Sequence, residues 1–572
     1  MTRFRVWAPR ASEVELDLSG RRVAMAAGDR GWFEVDIGEA GPGTDYGFSL
    51  DGGPVLPDPR SPWQPAGVDG PSRTVDHAAF GWTDHGWRGV HLPSAVLYEL
   101  HVGTFTPEGT FDAVVGRLDH LVDLGVDVVE LMPVAEFPGT RGWGYDGVDL
   151  YAPHSAYGGP DGLKGLVDAC HARGLGVVVD VVYNHLGPAG NHLGSYGPYF
   201  TERYATPWGQ AVNLDGPGSD EVRAFFVDNA LMWLRDYHCD GLRLDAVHAI
   251  LDTSAVHLLE ELAVEVEALA AAAGRPLFLV AESDLNDPRV VRRREVGGYG
   301  MDAQWSDDLH HAVHAALTGE RGGYYADFGS LADVATALRR AFIHAGGYSP
   351  YRDRRHGRYD PTLSGHRFVG YAQNHDQVGN RARGERSGAL MSPGRLRLAA
   401  ALVLTSPFVP MLFQGEEWAA GTPFQYFTDH ADPALGRAVS EGRRSEFVAF
   451  GWEPADVPDP QDPATFERSK LDWSELGEKG HAAVHDWHRR LVALRRSVPA
   501  LTDGRLAAVS CVVDEEAGSI VVRRGPVTVA GNVGPSPVDV AVTGAVVVAS
   551  EGAEMVAPGT LRLGPESVAV LA

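Results

Sequence analysis

The stretch D-G-L-R-L-D-A-V-H, residues 240 to 248, reads as a short apolar strand interrupted and ended by polar residues. Arg243 and Asp245 lie two positions apart, so in an extended chain their side chains project from one face. A carboxylate beside a guanidinium stays ionised, which suits a nucleophile as well as a structural ion pair. Taken alone the pair reads as structural. What surrounds it changes that reading.

Outward from this stretch, apolar runs recur at 95–102, 126–134, 176–183, 241–246, 277–281, about 301–305, 368–372 and 409–413. Helix-periodic segments lie between them, among them Asp112–Leu124, Leu163–Arg173, Glu221–Tyr237 and Ser254–Ala273. Strands alternating with helices over this length predict a (β/α)8 TIM barrel with insertions. The sixth run is the least apolar. A doubly wound sheet is the competing architecture, but no glycine-rich phosphate fingerprint follows the first strand. No cofactor is expected.

The flanks differ in texture. Residues 1–88 read as short alternating strands, Phe4–Trp7, Val14–Leu18 and Trp32–Val35, in the manner of a β-sandwich. The proline-rich segment from Pro54 to Pro71 excludes a helix interior and reads as a loop packed on the next domain. From about residue 500 to 572, valine-rich strands and turns return, predicting a C-terminal β-domain. The expected chain is thus multidomain: sandwich 1–88, barrel 89–499 and β-domain 500–572.

In a TIM barrel chemistry gathers where strands end, at the C-terminal face. Polar residues fall there repeatedly: Asp180, Asn184 and His185 after the third run, Arg243, Asp245 and His248 after the fourth, Glu282 after the fifth, His375, Asp376 and Gln377 after the seventh. Singly, each is an ordinary loop residue. Several carboxylates, an arginine and histidines aimed at one mouth suit cleavage of a glycosidic bond, which needs one carboxyl to protonate the leaving oxygen and one to attack or to activate water. Asp245 beside Arg243 suits the ionised role, and Glu282 after L-F-L-V-A suits the proton donor. Asp376 suits stabilisation of an oxocarbenium-like transition state. An aspartic-protease-like pair is the rival chemistry, but it does not call for aromatics near the mouth.

Those aromatics lie in R-G-W-G-Y-D-G-V-D-L-Y-A-P, residues 141 to 153. Tyr145 is a candidate platform for the apolar face of a sugar, while Trp143 and Tyr151 read as anchors of the loop. Q-W-S-D-D-L-H-H, residues 304 to 311, bunches Asp307, Asp308, His310 and His311. This order fits neither helical zinc pattern, so no metal is expected. Asp307, Asp308 and His310 are instead expected to bind sugar hydroxyls.

The formal net charge of −27 over 572 residues argues against nucleic acid or an anionic membrane surface as partner. Three cysteines, Cys170, Cys239 and Cys511, are too few and too scattered for a disulfide framework. The opening M-T-R-F-R-V-W-A-P lacks the pattern of a signal peptide, and no apolar run is long enough to span a membrane. A cytoplasmic protein is expected, with its oligomeric state open.

D-V-V-Y-N-H (180–185), G-L-R-L-D-A-V-H (241–248), V-A-E-S-D (280–284) and Q-N-H-D-Q (373–377) resemble the four conserved segments of the α-amylase family of glycoside hydrolases, family 13. The resemblance implies Asp245 as nucleophile, Glu282 as acid/base and Asp376 as transition-state stabiliser. It places Arg243, His185, His375 and Tyr145 around the cleaved sugar. Asn184 matches a calcium ligand of α-amylases, but the insertion after it, 186–218, is short and poor in acids, so calcium is not expected. The opening F-R-V-W-A-P-R-A-S-E-V-E-L looks like the sandwich module preceding many enzymes of branched or modified α-glucans. L-Y-E-L-H-V-G-T-F-T-P-E-G-T-F (97–111), Y-N-H-L-G-P-A-G-N (183–191), F-Q-G-E-E-W (413–418) and P-F-Q-Y-F-T-D-H (423–430) look like a trehalose-releasing branch of the family. This implies hydrolysis, with retention, of the α-1,4 bond beside the terminal trehalose of malto-oligosyltrehalose. Glycogen branching or debranching is the alternative within the family, and a non-catalytic glucan-binding protein the alternative outside it.

Overall fold

The computed structural model describes residues 1–446 and 457–572. Eight parallel strands close into a barrel: β1 Leu97–Leu100, β2 Val128–Leu131, β3 Gly176–Val181, β4 Gly241–Leu244, β5 Phe278–Ala281, β6 Ala303–Trp305, β7 Phe368–Tyr371 and β8 Val409–Phe413. Each pairs in parallel with its neighbours, and β8 with β1 completes the ring. The weakly apolar sixth run is indeed the shortest strand, with 3 residues.

Inward positions explain why a site forms at one end. Leu97, Val128, Val178, Val280, Ala303, Val369 and Val409 fill the lower interior. Two residues further along β1, β2 and β3 the same inward alternation carries Glu99, Glu130 and Asp180. Arg243 occupies the corresponding place on β4, in register with Asp180. The barrel therefore changes from apolar floor to charged ring within one pleat.

The crossovers follow the expected alternation with two differences. Helices Gly159–Ala172, Ser219–Arg235 and Leu258–Ala273 follow β2, β3 and β4; Asp307–Thr318 and Leu331–Arg340 follow β6, and Pro393–Leu404 lies between β7 and β8. After β1 the single helix expected over 112–124 is split into Phe111–Val115 and Leu118–Leu124, with Gly116 between them. Between β5 and β6 only one 3-10 turn, Arg294–Val296, replaces the expected helix. Here Gly297 and Gly300 take φ of 80° and 83°, and a Cβ on Gly298 would lie 2.1 Å from the Arg292 carbonyl oxygen. Backbone of that shape is outside the reach of a continuous helix.

At the N-terminus, Thr2–Trp7 pairs antiparallel with Trp32–Ile37, and Val14–Leu18 with Asp45–Leu50. The two sheets face each other across Phe4 and Tyr46, whose ring centroids lie 4.9 Å apart. The proline-rich segment is mostly irregular, and Arg60 within it donates to Tyr151 Oη at 2.9 Å and Asp228 Oδ2 at 2.8 Å on the barrel. At the C-terminus, a five-stranded and a three-stranded antiparallel sheet lie within 509–571. Arg524 joins them to the barrel, donating to the Thr405 carbonyl at 2.9 Å just past helix Pro393–Leu404. Among the described residues no helix is long and apolar enough to cross a membrane.

Candidate active site

Arg243 is the hub. It is fully buried, with its guanidinium carbon 4.2 Å from the centroid of the Trp305 ring on β6. Nη1 reaches both oxygens of Asp180 at 2.9 and 2.8 Å and Asp245 Oδ1 at 2.9 Å. Nη2 lies 2.8 Å from Glu282 Oε2. One cation thus meets carboxylates from three strand ends, and the side chains on β4 were readable as a pair only because the strand alternates.

The carboxylates are driven apart in proton affinity. Burial works against charge on Asp245, but Arg243, His185 and Asn184 outweigh it and hold the carboxyl below its usual value. Burial pushes Glu282 well above the ordinary range, with Asp245, Asp376 and Asp307 adding to the shift against Arg243. The site therefore sets two carboxyls with opposite shifts in proton affinity on a common cation. Asp180, raised by burial to about 6, stands between them.

Asn184 donates its amide to Asp245 Oδ2 at 2.7 Å and to the Asp245 carbonyl at 2.8 Å. Its carbonyl meets His185 Nδ1, and His185 Nε2 lies 3.1 Å from the Tyr145 carbonyl oxygen. This ties Asn184 to the candidate nucleophile and to the neighbouring loop residue His185. Among the described residues no three His, Cys, Asp or Glu side chains are grouped to hold a metal ion.

A second chain of bonds enters from β7. The His375 imidazole lies 2.5 Å from Glu99 Oε1 through Nδ1 and 2.8 Å from Tyr145 Oη through Nε2, and Tyr145 donates to Asp180 Oδ2 at 2.6 Å. Burial disfavours charge on His375, yet Glu99 and Asp376 raise it to about 9, so both nitrogens act as donors at neutral pH. Asp376 Oδ1 is 3.6 Å from His375 Nε2, and the Asp376 side chain is 32% exposed. Gln377 accepts from Tyr324 Oη at 3.0 Å, and exposed His248 lies 3.9 Å from Asp284.

The 304–311 cluster is divided. Asp307 accepts Tyr371 Oη at 2.5 Å, and burial lifts its carboxyl to about 7, with Asp284 and Asp376 contributing. Asp308, expected on the sugar, instead accepts Asn286 Nδ2 at 2.9 Å and the backbone N–H groups of Ile343 and His344 at 2.5 and 3.3 Å. His310, expected beside it, is buried against His311, His314 and Tyr371. The reason is helical: from the start of Asp307–Thr318, adjacent residues diverge by about 100° per step.

Trp143 and Tyr151 anchor their loop, donating to the Gln425 carbonyl at 2.9 Å and the Phe225 carbonyl at 2.6 Å. Three features went unread in the sequence. Glu99 and Glu130 are carboxylates at inward strand positions, a signal present in L-Y-E-L and V-V-E-L. Glu130 is buried without a protein partner for either oxygen, and burial pushes its carboxyl well up. Trp208, 48% exposed on the hairpin Phe200–Thr206 and Gly209–Val212, stacks on His185 at 4.5 Å and 9°. Nothing local distinguishes such a tryptophan from one buried in a core.

The α-amylase catalytic-domain family matches residues 72–194. The chain is 54% identical over 552 residues to a malto-oligosyltrehalose trehalohydrolase of Arthrobacter ramosus, covering 96% of this chain and 95% of that protein. It is 51% identical to one from Mycobacterium tuberculosis, over 100% of this chain and 99% of that protein. A crystal structure of a putative α-amylase from Salmonella typhimurium superposes with a TM-score of 0.91 at 40% identity, covering 100% of this chain and 97% of that one. Likeness at this identity over the whole length extends to the sandwich and the C-terminal sheets as well as to the barrel. The chain belongs to the malto-oligosyltrehalose trehalohydrolases of the α-amylase family.

Proposed function

We propose that the protein hydrolyses the α-1,4 bond beside the terminal trehalose of malto-oligosyltrehalose, releasing trehalose and a malto-oligosaccharide. The observation that carries the chemistry is the sharing of Arg243 between Asp245 and Glu282, whose carboxyls are shifted in opposite directions. The relatives that bear the trehalohydrolase name carry the choice of bond.

In this reading Asp245 attacks the anomeric carbon while Glu282 protonates the departing oxygen of trehalose. Water then attacks the anomeric carbon as Glu282 takes its proton, and the bond to Asp245 breaks with net retention. Glu282 Oε2 accepts the Ala246 N–H at 2.8 Å and faces Arg243, so the mobile proton resides on Oε1. Asp376 stabilises the oxocarbenium-like transition state. Tyr145, His185, Arg243, His248, Asp307, His375 and Gln377 hold the sugars, with Asp308 shaping the loop around them. We place the enzyme in the cytoplasm, in keeping with three unbridged cysteines, and divide it near residues 88 and 499 into sandwich, barrel and β-domain.

Incubation with maltotriosyltrehalose and, separately, maltopentaose tests the assignment. Rapid release of trehalose with slow cleavage of maltopentaose is expected. New or cleaved α-1,6 branches in glycogen, without trehalose release, would replace this reading with branching or debranching. Tight glucan binding with no product at all would replace it with a binding protein.

A further inference from the structure

Ala246, directly after the candidate nucleophile, has a left-handed backbone, with φ 38° and ψ 53°. A residue with a Cβ seldom occupies this region and does so where its surroundings require it. Ala246 is buried, and the turn redirects the amides that follow β4. The Asp245 N–H still continues the ladder, donating to the Val181 carbonyl at 3.0 Å. The next two leave it together. Ala246 N–H donates to Glu282 Oε2 at 2.8 Å, and Val247 N–H donates to the Glu282 backbone carbonyl at 2.9 Å.

In an extended strand successive N–H groups alternate between the two neighbouring strands. Two consecutive ones on the same residue require a change of backbone hand, as in the nests that bind anions. The turn therefore grips the acid by its main chain and by one carboxylate oxygen, the oxygen that Arg243 Nη2 also faces. Its other oxygen is left for the proton.

The geometry points to Ala246 as a positioning residue for the acid/base: its left-handed turn aims two consecutive N–H groups at Glu282, fixing Oε2 and reserving Oε1 for proton transfer. This deepens the function proposed above and rests on Glu282 being the acid. The charged and titratable groups that face Glu282 include Arg243 and Asp245 from the end of β4, Asp307 after β6, Tyr371 on β7 and Asp376 after it. A hydrogen bond to a carboxylate favours its ionised form. Losing the Ala246 bond therefore moves Glu282 to higher proton affinity and shifts the alkaline limb of kcat/KM upward.

The test compares Ala246→Asn, Ala246→Gly and Ala246→Val by pH profiles on maltotriosyltrehalose, with Glu282→Gln alongside. Asparagine and glycine tolerate the left-handed region, and valine does not. The valine variant is expected to lose kcat by about 100-fold and to move its alkaline limb up by about one pH unit. The asparagine and glycine variants should keep the wild-type limb. A valine variant with a wild-type profile, or asparagine and glycine variants that lose activity by more than tenfold with a displaced limb, overturns the inference. Should valine prevent folding, the other two variants still decide it. Full turnover in Glu282→Gln would instead overturn the assignment of the acid, independently of Ala246.

Discussion

Two regions of the barrel mouth are both dense in titratable residues and are arranged differently. At the ends of β3, β4 and β5, Asp180, Asp245 and Glu282 converge on Arg243. At the start of helix Asp307–Thr318, two aspartates and two histidines stand side by side in sequence and separate in space. Parallel strands in register deliver neighbours on different strands to one point, whereas a helix turns neighbours on one chain away from each other. Adjacency in sequence is thus a weak sign of a site, and recurrence at strand ends a strong one.

The difference is sharpest at the two residues assigned to bond making. Asp245→Asn and Glu282→Gln should each lower kcat by about 10,000-fold or more, with the fold retained by circular dichroism. Substantial turnover in either purified variant would break the comparison at its root. Removing the hub has the next largest effect. Arg243→Lys keeps a charge but lacks the fork that meets Asp245 and Glu282 together, so a loss of about 100- to 1,000-fold is expected.

The pH profile carries the sign of that change. In the proposed mechanism Asp245 acts ionised, so activity should fall as pH drops through its depressed value. In the same mechanism Glu282 acts protonated, so activity should fall as pH rises through its elevated one. Arg243 lowers both, and weakening its hold should therefore move both limbs of the bell upward. A lysine variant with both limbs in place would mean that burial and the remaining hydrogen bonds alone set these carboxyls.

How much of this was legible follows from the same geometry. The eight strands were visible as apolar runs because a parallel strand covered on both faces is apolar nearly throughout. The conserved-segment resemblance singled out Asp245, Glu282 and Asp376 as candidates without any knowledge of the ring beneath them. Glu99 escaped notice, since a charge at an inward position signifies nothing until the strand's register is known, yet it holds His375 from below. The missing fifth crossover helix was obscured because the glycines that forbid it, Gly297 to Gly300, also occur in ordinary loops. Trp208 reached His185 through a hairpin whose direction no local pattern encodes.

The smallest effect divides the pair Asp307 and Asp308, adjacent in sequence and expected to behave alike before the structure. Asp308 accepts Asn286 and the amides of Ile343 and His344, so Asp308→Asn retains an acceptor but loses the charge that strengthens those bonds. It should lower stability to chemical unfolding by about 1 to 2 kcal/mol while leaving KM for maltotriosyltrehalose within about twofold. Asp307 is half-buried, borders Glu282 in the field that raises it, and has Tyr371 as its side-chain donor. Asp307→Asn should instead raise KM by about five- to tenfold with little change in unfolding. The two measurements run in opposite directions for neighbouring carboxylates. If Asp308→Asn raised KM and spared stability, the helix start would present both aspartates to the sugar, and the contrast with the strand ends would fail.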